Sequence, residues 1–403
     1  MSTATRPDDH RPSGDKARGA VPDPDRSIRF DRNELSGAFG DLGTDLPMIV
    51  GMIAAAGLDA ASVLVVYGAL QVATGLAYRM PMPVQPLKAV AAIVITERLP
   101  AATLYGGGLA IGAVMLALSA TGLLGRLARL VPKVVVRGIQ AGLGLQLATL
   151  ALRDYVPSAG PAGWALAAVA FAVTLALLGN RRVPPAPLVV LLGVLFALVT
   201  TADPGAVLAG FGLDLPSPRT PGWPDVVAGF LLLALPQIPL SLGNSVLATR
   251  QMAADLFPAR PPLSARRIGL TYSAMNLVSP FLGGIPTCHG SGGMAGHYAF
   301  GGRTGGSVVL YGLFYLTLGL FFSAGFAEIV EIFPRPVLGV LLLVEALALL
   351  VLLRDLAADA SELWIAVLVA LVASLVPYGY LVGMVLGVAL VALARRRGMR
   401  VRG

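Results

Sequence analysis

The sequence predicts an all-α protein threaded many times through a bilayer, and three observations carry that prediction. Of its 403 residues 56% are hydrophobic and only 13% charged, about half the charge of an ordinary soluble domain. Apolar runs such as VVAGFLLLALPQIPLSLG and VVLYGLFYLTLGLFF recur from Leu35 to Ala394. At about 20 apolar residues per crossing, the chain has room for more than ten spans. The basic residues are also sorted. With the N-terminus inside, all of the 30 Lys and Arg except Arg98, Arg153, Arg219, Arg335 and the embedded Lys88 fall on the cytoplasmic side. That asymmetry is the signature of a membrane protein with an even number of crossings. It accounts for the net charge of +8 without nucleic acid.

Residues 1–33 mix Arg with Asp, Pro and Gly and lack an apolar core, so they read as a disordered cytoplasmic tail and not as a cleaved signal. Fourteen segments follow, the first seven near 35–57, 61–79, 81–98, 103–124, 134–152, 162–179 and 186–201. The second seven lie near 225–252, 266–284, 286–302, 306–324, 335–353, 361–376 and 378–394. Residues 396–403 form a second basic cytoplasmic tail. The halves, 34–202 and 203–395, look like a repeat: LVPKVVVRGIQAGLGL from Leu130 resembles IFPRPVLGVLLLVEAL from Ile332. Seven is odd, so the second half is inverted relative to the first.

Segments three and ten, PMPVQPLKAVAAIVIT and PTCHGSGGMAGHYAFGG, sit at the same place in each half. Both open with Pro, segment ten with Gly as well, and hold too few helix-forming residues to span as a helix. Each is expected to run extended and then as a half-helix. Inversion then makes the two half-helix N-termini face each other near the membrane centre, the arrangement of a secondary transporter's binding site. Such a terminus offers unpaired N–H groups and about half a positive charge. A small oxyanion is therefore the expected ligand. The candidate ligands are Gln85 and Lys88 on segment three, Thr287, His289, Gly290, Ser291 and Gly292 on segment ten, and Gln237 and Asn244 on segment eight. Thr44 joins them from segment one, where Glu34, Asp41 and Asp45 also lie. Asp41 and Asp45 are candidates for proton or ion coupling, or else partners of Lys88. Glycine runs such as YGGGLAIG and GSGGMAG have a second reading as close-packing helix surfaces.

Catalysis and metal binding are disfavoured. Cys288 and His289 are adjacent and cannot face each other on a helix, and His289 and His297 lack a third ligand nearby. A single cysteine excludes an internal disulfide. No cofactor is expected.

FGDLGTDLP, PMPVQPLKAVAA, PQIPLSLGNSVLA and GGIPTCHGSGGMAGHYAFGGRTGG together resemble the molybdate-transporter branch of the sulfate-permease superfamily. The resemblance implies the fold of seven plus seven inverted segments shared by sulfate permeases, prestin-like anion transporters and uracil permeases. A core of segments one to four and eight to eleven would move against a gate of the other six. It implies a secondary active importer of a tetrahedral oxyanion, molybdate first, with tungstate and sulfate close to it, in the cell (inner) membrane with both termini cytoplasmic. An anion channel of the prestin kind is the alternative. Ser291 falls where uracil permeases carry a substrate-binding acid, and Gln237 replaces another. The site is thus expected to be a neutral cage with no acid at the anion. Homodimer formation and the coupling ion stay open.

Overall fold

The computed structural model describes residues 27–127, 132–177, 185–200, 211–377 and 379–396. Both expected tails lie wholly or largely outside the described residues. The described chain is almost entirely helical. The first crossing is α1 (Arg32–Ala38) followed by α2 (Leu42–Ala56). Asp31 caps α1 by accepting from the N–H groups of Asn33 and Glu34, and Gly57, at φ +63°, ends α2. There follow α3 (Ala60–Tyr78), the two-residue strand β1 (Gln85–Pro86), α4 (Lys88–Glu97) and α5 (Ala101–Ala120). A short α6 (Leu124–Leu127) precedes α7 (Lys133–Leu150), α8 (Gly160–Ala176) and α9 (Pro185–Thr200).

The second half runs through α10 (Trp223–Leu256), α11 (Ala265–Val278), β2 (Thr287–Cys288), α12 (Ser291–Ala299) and α13 (Gly306–Phe321). It continues with α14 (Ser323–Ile332), α15 (Arg335–Val351), α16 (Ala360–Leu375) and α17 (Gly379–Arg396). Every expected segment therefore has its element. Helix α14 is an addition: its 10 residues rise only about 15 Å, too little to cross a bilayer. It connects the segments on either side of it.

The pairing of helices obeys a two-fold exchange of the halves. Helix α3 packs on α13 as α5 packs on α11, and α10 packs on α5 as α1 packs on α13. The antiparallel strands β1 and β2 lie on the axis of that exchange, with Gln85 opposite Cys288 and Pro86 opposite Thr287. The spacing between equivalent residues is the same at the strands (Gln85 and Thr287) and at the later prolines (Pro132 and Pro334). Close helix packing depends on small residues. At the crossing of α3 and α13, a Cβ on Gly68 or Gly312 would lie 2.6 Å from the other residue's carbonyl oxygen. Gly106 and Gly107, in the YGGG run, similarly admit the backbone of α10.

The outer surface is apolar. Trp164, Trp223 and Trp364, the three tryptophans of the chain, are all exposed near the starts of α8, α10 and α16, positions suited to a membrane interface. Arginines gather at the helix ends. Arg260 and Arg267 donate to the carbonyls of Arg79 and Ala77, and Lys133 and Arg137 pair with Asp355.

Candidate functional site

The two broken crossings meet at β1 and β2, and a backbone bond from Leu87 N–H to the Pro286 carbonyl (3.2 Å) extends the pairing. Extended backbone at membrane depth exposes polar groups that only protein can satisfy. Two buried amides do this. Gln71 of α3 donates to the Val84 carbonyl (2.7 Å) and accepts from the Val84 N–H (2.9 Å). Asn276 of α11 does the same for Thr287, at 2.6 and 3.0 Å. The two clamps sit on helices related by the two-fold exchange. Sequence reasoning missed both, although a lone, fully buried amide in an apolar helix is a legible signal.

The antiparallel register brings the first turns of α4 and α12 to either side of the strand pair. They are treated differently. At α4, the side-chain amide oxygen of Gln237 accepts from the Ala89 N–H (3.0 Å), and its amide nitrogen donates to Ser241, which contacts the Tyr272 hydroxyl. Gln237 is placed by irregular helix. Residues Phe230–Ala234 and Ser241–Ala248 of α10 are π-helical, with Pro236 and Pro239 between them. These prolines remove regular helical bonds, and such bulges recur at functional sites.

The N-cap of α12 is Gly290, which has no side chain to cap with. A Cβ there would overlap the Gln85 amide. That amide is committed elsewhere: its nitrogen donates to both carboxylate oxygens of Asp41, at 2.8 and 2.7 Å. Asp41 in turn packs against Gly293 in the first turn of α12, where a Cβ would collide with the carboxylate. The expectation of an acid-free site therefore needs correction. A carboxylate reaches the positive end of α12 from segment one, because an anion is stable at a helix N-terminus. Four residues further along, fully buried Asp45 accepts from the hydroxyls of Tyr67 (2.5 Å) and Tyr311 (3.4 Å), and its second oxygen has no partner among the described residues.

A small cavity of about 20 Å³ lies beside β1 and β2. Its lining includes Gln85, Lys88, Gln237, Asn244 and Ser245, together with Gln140 of α7. Of the residues expected to bind an anion, Gln85, Lys88, Gln237 and Asn244 are thus brought together. Ser291 stands at the edge, 3.5 Å from the Asn244 oxygen, and Gly292 faces open space. Thr287 is clamped by Asn276, with its hydroxyl buried and unpartnered. His289 is engaged on both ring nitrogens, by the Pro83 carbonyl (3.1 Å) and the Thr271 hydroxyl (2.7 Å). The Thr44 side chain lies outside the described residues.

Two further groups have structural partners. Glu34, fully buried, accepts from the N–H groups of Arg303, Thr304 and Ser307, each at 2.9 Å. It holds the GGRTGG stretch at the start of α13. Arg303 lies over the Tyr298 ring, 3.6 Å from its centroid.

Comparison with known proteins agrees with this architecture. A family profile described as a molybdate transporter of the MFS superfamily matches residues 33–147 and 229–349. Molybdate transporter 2 of Arabidopsis thaliana is 35% identical over 371 residues, covering 80% of this chain and 79% of that protein. Molybdate transporter 1 of Chlamydomonas reinhardtii is 28% identical, covering 80% and 84%. Among solved structures, the transmembrane domain of a cyanobacterial bicarbonate transporter superposes with a TM-score of 0.63 at 16% identity, covering 90% of this chain and 98% of that one. The murine Solute Carrier 26 family member A9 anion transporter, in its inward-facing state, gives 0.64 at 14%, covering 91% and 68%. The structural likenesses show the fold alone. The chain is a transporter and not an enzyme, and by sequence it belongs to the molybdate transporter family.

Proposed function

We propose that this protein is a secondary active transporter that imports a tetrahedral oxyanion, molybdate foremost, by alternating access. The observation that carries the reading is the pair of half-helix starts held side by side by β1 and β2, with Lys88 at the first turn of α4 and a small cavity that Lys88, Asn244 and Ser245 help to line. Helix termini and a lysine supply positive potential without a metal. The Asn244 amide and the Ser245 hydroxyl, which line the cavity with Lys88, supply hydrogen-bonding groups.

At about 20 Å³ the cavity holds roughly one water, so an oxyanion requires the core and gate to part. Two larger recesses, about 380 and 370 Å³, share Gln146 of α7 and reach Ile93, Thr96 and Glu97 near the end of α4. Gln140 and Gln146 are six residues apart, about 9 Å along one helix. Separation along α7 would join recess and cavity into an access route. The protein would lie in the cell (inner) membrane with both termini cytoplasmic.

The test is uptake of labelled molybdate by proteoliposomes holding the purified chain. Saturable accumulation against a gradient, competed by tungstate and sulfate but not by phosphate, is expected. A phosphate species that keeps a proton presents a donor to a largely donor-lined site, at about 1–3 kcal/mol for each polar group left unpaired. Equilibration without accumulation would indicate a channel. Phosphate competing as well as tungstate would refute the proposed selectivity.

A further inference from the structure

We propose that Gln140, a residue of the gate helix α7, is a direct ligand of the transported oxyanion, oriented for that role by Arg137. The proposal rests on the oxyanion-transport reading and adds a contact from outside the half of the bundle that carries the broken crossings. Gln140 is only 5% exposed and lines the same cavity as Lys88, Asn244 and Ser245.

Its amide has one orientation. Arg137, one turn earlier, donates from Nη1 to the Gln140 oxygen at 2.9 Å. A guanidinium has only donors, so the amide oxygen must face it and the NH2 must face away. That NH2 makes no hydrogen bond to any described residue. Here it borders a cavity whose other polar groups sit around two helix starts. Arg137 is itself fixed, since its second terminal nitrogen pairs with Asp355, which Lys133 also approaches at 3.2 Å. The network ends in a single outward-aimed donor, which matches the chemistry of an oxyanion oxygen.

Nothing equivalent occurs on the related helix. In the alignment of Pro132 with Pro334, Gln140 corresponds to Leu342 and Arg137 to Gly339. One gate helix supplies the donor and the other supplies apolar wall, including Leu349. A rigid displacement of core against gate removes this donor from the anion while Lys88 travels with it. Gln140 therefore tightens binding in one state only and weakens it as the core moves.

The experiment is a molybdate binding titration on the purified full-length protein, with thermal unfolding recorded for each variant. Gln140→Leu is expected to weaken affinity about tenfold or more, the loss of one hydrogen bond to a charged ligand, with little change in melting temperature. Gln140→Glu keeps a partner for Arg137 and puts a like charge at the anion, so binding should fall further. It also serves where Gln140→Leu fails to fold. Arg137→Gln should weaken binding in the wild-type background and add nothing in the Gln140→Leu background. A purely structural arginine would weaken both. Wild-type affinity in Gln140→Leu or Gln140→Glu overturns the inference while leaving the transport reading intact. Absence of molybdate, tungstate and sulfate binding to the unmodified protein overturns both.

Discussion

Gly290→Ala is the sharpest test of how the site is built, because one methyl group strikes one identified side chain. The Cβ would occupy the space of the Gln85 amide. The β1–β2 register holds both backbones in place, so Gln85 must rotate away. Its nitrogen then leaves both oxygens of Asp41, contacts of 2.8 and 2.7 Å. Hydrogen bonds to a charged group contribute about 1.5–3 kcal/mol each. Because one donor group serves both contacts, about 2–4 kcal/mol is at stake, roughly 30- to 700-fold in an equilibrium.

Molybdate uptake by proteoliposomes and thermal unfolding should share that loss between function and stability. The assay that isolates the cause is a double-mutant cycle with Gln85→Ala, which removes the obstructing amide beforehand. Gly290→Ala should add almost nothing in that background. An equal penalty in both backgrounds, or transport by Gly290→Ala at the wild-type rate, would refute the assignment of Gly290 as the space for Gln85.

Other perturbations separate the remaining roles. Lys88→Met should weaken molybdate binding by about 10- to 100-fold with the protein still folded; unchanged affinity would place the lysine outside the electrostatic site. Glu34→Ala strips the partner from three backbone N–H groups and should cost about 3–5 kcal/mol of stability, read as a lower unfolding temperature in detergent. Asp41→Asn should abolish uphill uptake driven by a proton gradient while sparing exchange of molybdate across the membrane. Retained uphill transport in both Asp41→Asn and Asp45→Asn would clear both acids of the coupling role.

The fold was legible because punctuation and periodicity are local. Pro83, Pro86 and Pro286, with the glycines after Cys288, mark where a helix cannot run, and the structure has strands there. The connecting helix α14 escaped because ten residues with Glu328 and Glu331 among apolar neighbours carry no crossing signal. At the site, residue types pointed to the right region but not to their partners. His289 suggested a ligand by its chemistry, yet Pro83, 206 positions away in sequence, accounts for one of its nitrogens. Gln85 was assigned to the anion, and Asp41 holds its amide. These are contacts between remote segments, set by how the halves interlock. The buried amides Gln71 and Asn276 could have been flagged, since an apolar helix keeps such a group only where backbone needs it.

The two halves share a backbone plan and differ in charge, and that difference bears on coupling. LGTD from Leu42 corresponds to LGNS from Leu242, which sets Asp41 and Asp45 against Ser241 and Ser245. At the spacing of the paired strands, Lys88 is matched by Gly290. One half-helix start is therefore met by Gln237 and Ser241, both neutral, and begins with a lysine. The other begins at a glycine and has a carboxylate against its first turn. An oxyanion entering between them meets a second anion already seated at one of the two positive poles. A dianion and a carboxylate at a separation on the order of 8 Å repel by about 4 kcal/mol at an effective dielectric of about 20, close to a thousandfold in affinity. Inward movement of the dianion is opposed by a further 2.3 kcal/mol or so per charge per 100 mV of inside-negative potential. In the proposed coupling, a cation bound at Asp41 would offset both terms together, removing the repulsion in the site and part of the charge that crosses. Ser241 and Ser245 carry no charge to neutralise, so at the paired half-helices the proposed coupling falls to Asp41 and Asp45.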